Sequence, residues 1–336
     1  MAATLCFLLL ISILLVLDVH NCSSSSTDLV LTVAADGSGN FTTIREAIEF
    51  APSRSSDRIK IMVSSGVYEE NLVVPPEKVK ISLIGQGSRR TIITGNRSLD
   101  GGWTTMTSAT LAIEGVGFTA SDLTIQNTAG PSNGQAVALR VEADQSVFYR
   151  CIIDANQDTL YARSGRQFYR QCDIGGTVDF IFGDATALFQ NTVIQPKGLK
   201  GGTITAQART HRSSSTGFSF HRCNIKPFSD DVPAGSFYLG RPWRPYARVV
   251  FVRSYMEDVI NPAGWVAWDG AGKEVPDTIF YGEFENEGAG AEKNGRVHWK
   301  GVRSLGRGEA AGFSVSAFIQ GDLWIPATGV PFDPQI

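Results

Sequence analysis

Short apolar segments of similar length recur along the middle of the chain, and their spacing constrains the fold more than any other feature. Three of them begin with an aromatic residue, Tyr149, Tyr169 and Phe189, at intervals of 20 residues. A fourth, FHRCNI, begins at Phe220 after a longer insertion. A period near 20 residues suits a solenoid whose coils each contain about three short strands, stacked roughly 4.8 Å apart. Chance recurrence among aromatic strands is the alternative.

The composition agrees with short strands. The 336 residues include 35 glycines and only four methionines, and Val, Ile, Thr and Phe occur in short runs separated by Gly, Asn, Asp or Ser. Such runs favour strands, and regular turn signals between them are typical of a sandwich, a barrel or a solenoid. Because the period is near 20 residues, we predict an all-β chain folded as a parallel β-helix.

One short helix is expected before the repeats. The segment FTTIREAIEFA, residues 41–51, has apolar residues at helical spacing. Thr42 or Thr43 can cap this helix, with Glu46 completing a capping box. We expect the last 30 residues or so to form a C-terminal cap or tail, and residues 27–336 to form one mature domain.

Residues 1–26 differ from the rest of the chain. An apolar stretch from Leu5 to Leu17 is followed by a serine-rich segment, without the usual basic residues before it. The stretch is short for a bilayer span, which needs about 20 residues. We therefore predict a secretory signal peptide and an extracellular protein that is free of the membrane once the peptide is removed. An uncleaved membrane anchor is the alternative.

Secretion has two consequences for the mature chain. The sequons at Asn40 and Asn96 become available for N-glycosylation. Three cysteines remain, Cys151, Cys172 and Cys223. Because an odd number cannot pair completely within one chain, disulfides are not expected to be the main support of the fold.

Several classes of function are disfavoured. The net charge of −3 and the absence of a long Lys/Arg run argue against nucleic-acid binding. The sequence has no His-Glu-x-x-His, no Cys-x-x-Cys and no Walker-type phosphate loop, and its four histidines are scattered. Serine-triad and metal-dependent chemistry are therefore not expected.

Two aspartates are the strongest candidates for chemistry. Asp179 lies within the apolar run of GGTVDFIFGDA, where an unpaired charge is costly. Asp158 lies 21 residues earlier, about one coil away, so the two carboxyl groups should be roughly 5 Å apart. Two carboxyl groups at this distance cannot both ionise freely. One is therefore expected to remain a protonated acid while the other is a carboxylate anion. A structural role in a turn or polar ladder is the alternative.

Three further residues fit the same site. Gln135 lies about one coil before Asp158, and Gln157 adjoins it. Their amides can donate hydrogen bonds to a developing oxyanion, although polar ladders are also ordinary in solenoids. Arg241, in YLGRPW, can supply a fixed cation for a carboxylate, with a neighbouring tryptophan for a sugar face, or can lie in a surface loop.

Five ordered motifs resemble the plant pectin methylesterases (pectinesterases): GVYEE at 66–70, QAVALR at 135–140, QDTLY at 157–161, DFIFG at 179–183 and LGRPW at 239–243. The likeness extends from Ala35 to TGVPF at 328–332. It implies a right-handed parallel β-helix in which Asp179 is the nucleophile on the methyl-ester carbonyl of a galacturonate unit. It further implies that Asp158 is the general acid and then base, that Gln135 and Gln157 form the oxyanion hole, and that Arg241 orients Asp179.

The resemblance also implies the surroundings of the site. The aromatic residues similar to those of the family's substrate cleft are Tyr161, Phe182, Trp243 and Trp268. The implied partners are methylesterified pectin of the cell wall and a proteinaceous inhibitor, with no cofactor or metal, and the implied form is a monomer. The chain is most similar to the shorter group that lacks an N-terminal inhibitor-like pro-region.

The chain departs from the family pattern at two places. Family members often carry cysteines where Thr124 and Thr192 stand, which leaves Cys151 and Cys223 without their usual partners. The segment QARTHRSSSTG, residues 207–217, has Ala208 in place of glycine and is expected to alter a loop beside the cleft.

Three functions remain as hypotheses. The first is an extracellular pectin methylesterase that releases methanol. The second is a pectin glycosidase or lyase, since two carboxylates about 5 Å apart also suit a retaining hydrolase. Paired glutamines favour the first, because they suit an acyl oxyanion better than an oxocarbenium ion. The third is a wall-binding protein without activity, which the five intact polar residues argue against.

Overall fold

The computed structural model describes residues 29–270 and 272–336, and this part of the chain winds into three parallel β-sheets. From the second strand to the twenty-fifth the chain passes from one sheet to another, so that strands pair with those of the preceding and following coils. Parallel crossovers of this kind are right-handed. The predicted right-handed parallel β-helix is therefore confirmed.

Strands are numbered in chain order. Sheet 1 contains β1 Leu29–Val33, β2 Ile59–Val63, β5 Ile81–Ile84, β8 Thr119–Ser121, β11 Ser146–Tyr149, β14 Arg166–Arg170, β17 Thr186–Gln190, β20 Gly217–His221, β23 Arg248–Val252, β25 Phe280–Phe284 and β26 Val302–Ser304. Sheet 2 contains β4 Leu72–Val74, β7 Leu111–Ile113, β10 Leu139–Val141, β13 Leu160–Ala162, β16 Val178–Gly183, β19 Gly202–Gln207 and β22 Phe237–Pro242. Sheet 3 contains β3 Gly66–Glu69, β6 Thr91–Gly95, β9 Thr124–Asn127, β12 Ile152–Asp154, β15 Asp173–Gly176, β18 Val193–Pro196, β21 Asn224–Ile225 and β24 Tyr255–Met256.

The core lies between the sheets and contains a column of aromatic rings. The rings of Phe148, Tyr169, Phe189, Phe220 and Phe251 stack in this order, with neighbouring centroids 5.0, 4.7, 4.5 and 4.5 Å apart. All five side chains are fully buried. Stacking of this kind adds stability beyond burial alone, so the recurrent aromatic residues hold successive coils in register.

The first copy of the predicted repeat is wrong by one residue. Phe148, not Tyr149, pairs with Tyr169, while Tyr149 pairs with Arg170. Because side chains alternate between the two faces of a strand, this shift places Tyr149 on the outer face, where its ring contacts the guanidinium of Arg150. Two adjacent aromatic residues compete for one core position, and the sequence repeat alone did not decide between them.

The predicted short helix is α1, Ile44–Phe50, and its capping box is confirmed with Thr43 as the cap. The Glu46 backbone N–H donates to Thr43 Oγ1, and the Thr43 N–H donates to the Glu46 carboxylate, both at 3.2 Å. The helix buries Ile44, Ala47 and Ile48 against the core. It thereby covers apolar surface near the first coil.

The C-terminal segment forms a tail along the outer face of sheet 1. It contains α2 Arg307–Ala311, α3 Val315–Phe318 and two 3₁₀ turns, Gly321–Leu323 and Pro326–Thr328; another 3₁₀ turn, Ala289–Ala291, precedes it. Val315, Ile319 and Trp324 pack against outward-facing Phe168 and Leu188 of sheet 1. The tail therefore buries a sheet face that would otherwise expose large apolar side chains.

The cysteines Cys151, Cys172 and Cys223 of the described residues are buried and unpaired. Thr192 lies on the coil between those of Cys172 and Cys223, because Val193 pairs with both Asp173 and Asn224. Burial raises the pKa of the Cys223 thiol to about 12, which keeps it unreactive. The fold in this part of the chain is supported by packing and not by disulfides.

The predicted signal peptide, residues 1–26, lies outside the described residues. Both predicted glycosylation sites, Asn40 and Asn96, are exposed. Among the described residues, none of the helices has the length and apolar character needed to cross a membrane.

Candidate active site

Sheet 2 brings the two aspartates to equivalent positions on neighbouring coils. Leu160 pairs with Ile181, and each aspartate lies two residues before one of them. The backbone N–H of Asp158 donates to the carbonyl of Val178 at 3.1 Å, immediately before Asp179. Their sequence separation therefore gives the predicted distance of one coil.

A bulge in β16 presents Asp179. The pairing of β16 with β19 shifts register between Val178 and Ile181, so that an extra residue is inserted in β16. Asp179 has φ of 51° and Asp158 has φ of 66°, both in the left-handed region that non-glycine residues rarely adopt. Such conformations cost about 1–3 kcal/mol each and cluster at functional sites.

Asp179 is buried, with 5% of its surface exposed, and its charge is fully paired. Arg241 binds it through two parallel hydrogen bonds, Nε to Oδ1 at 2.9 Å and Nη2 to Oδ2 at 2.6 Å. Thr203 Oγ1 donates to Oδ1 at 2.6 Å and accepts the Asp179 backbone N–H at 3.0 Å. These contacts make the burial of Asp179 tolerable and fix the plane of its carboxylate.

Asp158 has a different environment. It is 8% exposed. Burial raises the pKa of the Asp158 carboxyl well above its ordinary value; the negative charge of Asp179 adds to this rise, and Arg241 opposes it. The Asp179 carboxylate is thus bound to a guanidinium, while the Asp158 carboxyl favours its protonated form. This is the division of roles predicted for two neighbouring carboxyl groups.

Both carboxyl groups open into a cleft of about 410 Å³. The residues that line it are Thr104, Thr105, Met106, Gln135, Gln157, Asp158, Tyr161, Asp179, Phe182, Ala206, Arg241, Trp243 and Trp268. Every catalytic and substrate-binding residue predicted from the sequence lies in this lining. Gln135 and Gln157 are half-buried there, with their amides available to a ligand beside the aspartates.

Aromatic rings form one wall of the cleft. Tyr161 stacks on Phe182 with centroids 4.4 Å apart, and Trp243 lies 6.4 Å from Trp268 in a nearly parallel orientation. The Trp268 ring also covers the Arg241 guanidinium, 4.3 Å from its centroid, and its carbonyl accepts from Arg241 Nη1 at 3.2 Å. Trp268 therefore helps to fix the position of Arg241, which in turn binds Asp179.

Sequence reasoning missed two parts of the site. Thr203, which bonds Asp179, lies in the ordinary strand segment TITAQ, and nothing in that segment distinguishes it from the other threonines of the sheets. Thr104, Thr105 and Met106 come from the connection between β6 and β7, and no local motif marks them.

A second cavity of about 320 Å³ adjoins the cleft and shares Tyr161 and Trp243 with it. Its other lining residues are Arg163, Ser164, Gly183, Asp184 and Ala208. The segment 207–217, predicted to lie beside the cleft, thus contributes Ala208 to this wall.

The fold and the site define a class: parallel β-helix proteins with a paired-carboxylate cleft on one sheet. A family model described as pectinesterase matches residues 30–322, and the chain belongs to the pectinesterase family. The predicted family is therefore confirmed.

Relatives and solved structures agree with this family. The chain is 50% identical over 312 residues to probable pectinesterase/pectinesterase inhibitor 12 of Arabidopsis thaliana, which covers 91% of this chain and 57% of the relative. The chain thus spans somewhat more than half the length of that relative. A pectin methylesterase from carrot has a TM-score of 0.88 at 45% identity, covering 93% of this chain and 100% of the carrot chain. A pectin methylesterase in complex with a hexasaccharide has a TM-score of 0.76 at 28% identity, covering 93% and 100%.

Proposed function

We propose that this chain hydrolyses the methyl esters of galacturonate units in cell-wall pectin, releasing methanol and leaving de-esterified pectin. The observation that carries the proposal is the Asp179 carboxylate, held by Arg241 in a cleft, with Asp158 one coil away and its pKa raised by burial. Membership of the pectinesterase family supports the same reaction.

In the first step, a carboxylate oxygen of Asp179 attacks the ester carbonyl carbon. The carbonyl oxygen becomes an oxyanion, to which the amides of Gln135 and Gln157 donate hydrogen bonds. As the carbon–oxygen bond to the methoxy group breaks, Asp158 gives its proton to the leaving oxygen, so that methanol departs. An acyl-enzyme anhydride on Asp179 and an ionised Asp158 remain.

In the second step, Asp158 acts as the base. It takes a proton from water as the water oxygen attacks the galacturonate acyl carbon, and the bond to Asp179 breaks. Asp179 returns as a carboxylate paired with Arg241, Asp158 is protonated again, and the galacturonate carboxyl then ionises in water. The cycle is balanced without a cofactor or metal.

The aromatic wall suits a chain of sugar rings, since flat apolar ring faces can pack against Tyr161, Phe182, Trp243 and Trp268. A related pectin methylesterase is known in complex with a hexasaccharide. We therefore assign these four residues to substrate binding.

The remaining assignments are also proposals. We assign residues 1–26 to a secretory signal peptide and 27–336 to the mature catalytic domain, which acts as a monomer in the cell wall. Asn40 and Asn96 are exposed and are assigned as N-glycosylation sites. N-terminal sequencing, a mobility shift on deglycosylation, and the mass in solution test these points.

An inhibitor protein is a further proposed partner. Some relatives are named as both pectinesterase and pectinesterase inhibitor, which supports a proteinaceous inhibitor as a partner.

The direct test is to incubate the purified mature protein with highly methylesterified pectin and to measure methanol and viscosity together. We expect methanol release at nearly constant viscosity. A rapid fall in viscosity would instead indicate a glycosidase or lyase. Retention of pectin by folded protein without methanol release would indicate a binding protein.

A further inference from the structure

The second cavity contains a carboxylate that the proposed reaction does not use. Asp184 lies in its wall, next to the cleft that holds Asp158 and Asp179. Tyr161 and Trp243 line both spaces, so a polymer that packs on these rings in the cleft can continue into the second cavity.

Asp184 is held in place. Its Oδ1 accepts hydrogen bonds from Thr216 Oγ1 at 2.5 Å and from Gln207 Nε2 at 3.5 Å, and its backbone N–H donates to the carbonyl of Arg163 at 3.2 Å. The residue is half-buried. Its charge therefore has a fixed position relative to whatever occupies the cavity.

Three arginines lie near Asp184, and none of them forms an ion pair with it, although the charges of Arg209 and Arg248 act on it. Arg163 pairs with Glu142. Arg209 donates to the carbonyl of Arg212, and Arg248 donates to the carbonyls of Ser215 and Thr216. Within the described residues, Asp184 has no ion-pair partner, so it presents a carboxylate to the cavity.

We propose that Asp184 is a specificity-determining residue: it disfavours a galacturonate unit with a free carboxylate in the second cavity, relative to a methyl-esterified unit. Two carboxylates brought together repel, whereas an uncharged ester does not carry this penalty. The inference rests on the proposed function, because it concerns the unit next to the ester that reacts.

The environment of Asp184 makes this preference depend on pH. Burial raises the pKa of the Asp184 carboxyl above its ordinary value, against the hydrogen bonds from Thr216 and Gln207 and the charges of Arg209 and Arg248. Protonation at acidic pH removes the negative charge. The discrimination against free carboxylates should therefore weaken as the pH falls through the acidic range.

The test uses galacturonate hexamers that are either fully methyl-esterified or carry one free carboxylate at a defined unit. For each hexamer, initial methanol release is measured for the wild type, Asp184→Asn and two controls, Thr216→Val and Asp144→Asn. Thr216→Val removes a hydrogen bond to Asp184 without removing its charge, and Asp144→Asn removes a charge outside both cavities.

For the hexamer whose free unit occupies the second cavity, Asp184→Asn should raise the rate relative to the fully esterified hexamer by roughly threefold to tenfold at neutral pH. This gain should shrink at acidic pH, and neither control variant should reproduce it at neutral pH. Unchanged ratios in folded, active Asp184→Asn at every position of the free unit would overturn the inference. Absence of methanol release by the wild type would instead overturn the proposed function.

Discussion

Arg241 and Asp179 form a two-pronged ion pair in the cleft, 62 residues apart in sequence and joined at 2.9 and 2.6 Å. The two residues lie on strands that are not neighbours in sheet 2, because Arg241 is on β22 and Asp179 on β16, with β19 between them. The side chains thus reach across β19. A planar guanidinium fixes both carboxylate oxygens at once, which a single ammonium cannot do.

Arg241→Lys should therefore lower kcat by at least about tenfold, since the positive charge is kept but the fork is lost. Steady-state kinetics on methylesterified pectin measure this effect. Arg166→Lys is a matched control, because Arg166 holds Asp144 with the same geometry, at 2.9 and 2.6 Å, outside the cleft. A folded Arg241→Lys enzyme within twofold of the wild type would contradict an orienting role for the fork.

Thr203 should be a positioning residue for Asp179. Thr203→Val keeps the shape of the side chain but removes both the hydrogen bond to Oδ1 and the acceptor for the Asp179 N–H. A hydrogen bond to a charged group contributes about 1.5–3 kcal/mol, so kcat should fall roughly tenfold to a hundredfold. Thr203→Ser should restore most of the rate. If serine and valine variants of equal stability lose the same activity, the hydroxyl does not position Asp179.

The Asp158 carboxyl should make stability depend on pH. Its pKa in the folded protein is raised, chiefly by burial, above the ordinary value of 3.8. Its contribution to stability is therefore fully present below that value and is lost as the pH rises through the folded-state pKa. The free energy of unfolding of Asp158→Asn, measured by denaturant titration, should fall less over this window than that of the wild type.

Asp144 provides a control for this measurement, because its contribution to stability should change with pH in the opposite direction. Burial would raise the pKa of its carboxyl, but the hydrogen bonds and charge of Arg166 outweigh burial, and the pKa is lowered. Its stabilising contribution is present above its unfolded-state pKa and is lost as the pH falls through the folded-state value. Identical pH dependence in Asp158→Asn and the wild type would show that Asp158 does not carry the raised pKa.

Trp243 should contribute mainly to binding, because it lines both cavities and its ring packs beside Phe182 and Trp268. Trp243→Ala should raise KM roughly tenfold with a smaller change in kcat, since it removes a ring that packs on the sugar. Tyr255→Ala is the control, an exposed ring on sheet 3. An unchanged KM in Trp243→Ala would indicate that the polymer does not pack against Trp243.

The parts of the fold that follow from coil length were predictable from the sequence. Asp158 and Asp179 are one short coil apart, so their spacing of 21 residues placed them side by side. Arg241 was a candidate cation from its own motif, but its contact with Asp179 was found through resemblance, because longer connections separate β16 from β22 and no fixed period spans them.

Other features depend on three-dimensional detail that a sequence pattern does not contain. Phe148 and Tyr149 are equally aromatic, and only strand register decides which enters the core. The role of Thr203 depends on the bulge after Val178, which re-aims Asp179 toward it. Thr104 to Met106 reach the cleft from a long connection whose path local propensity does not determine.

The central claim is that Asp179 is the nucleophile, and methanol release by Asp179→Asn, beside the wild type and Asp144→Asn, tests it most directly. Both variants remove one carboxylate from a two-pronged arginine pair, so they match in chemistry and differ in location. We predict that folded Asp179→Asn loses about a thousandfold or more in kcat, while Asp144→Asn retains activity. Release at the wild-type rate by folded Asp179→Asn would contradict the mechanism.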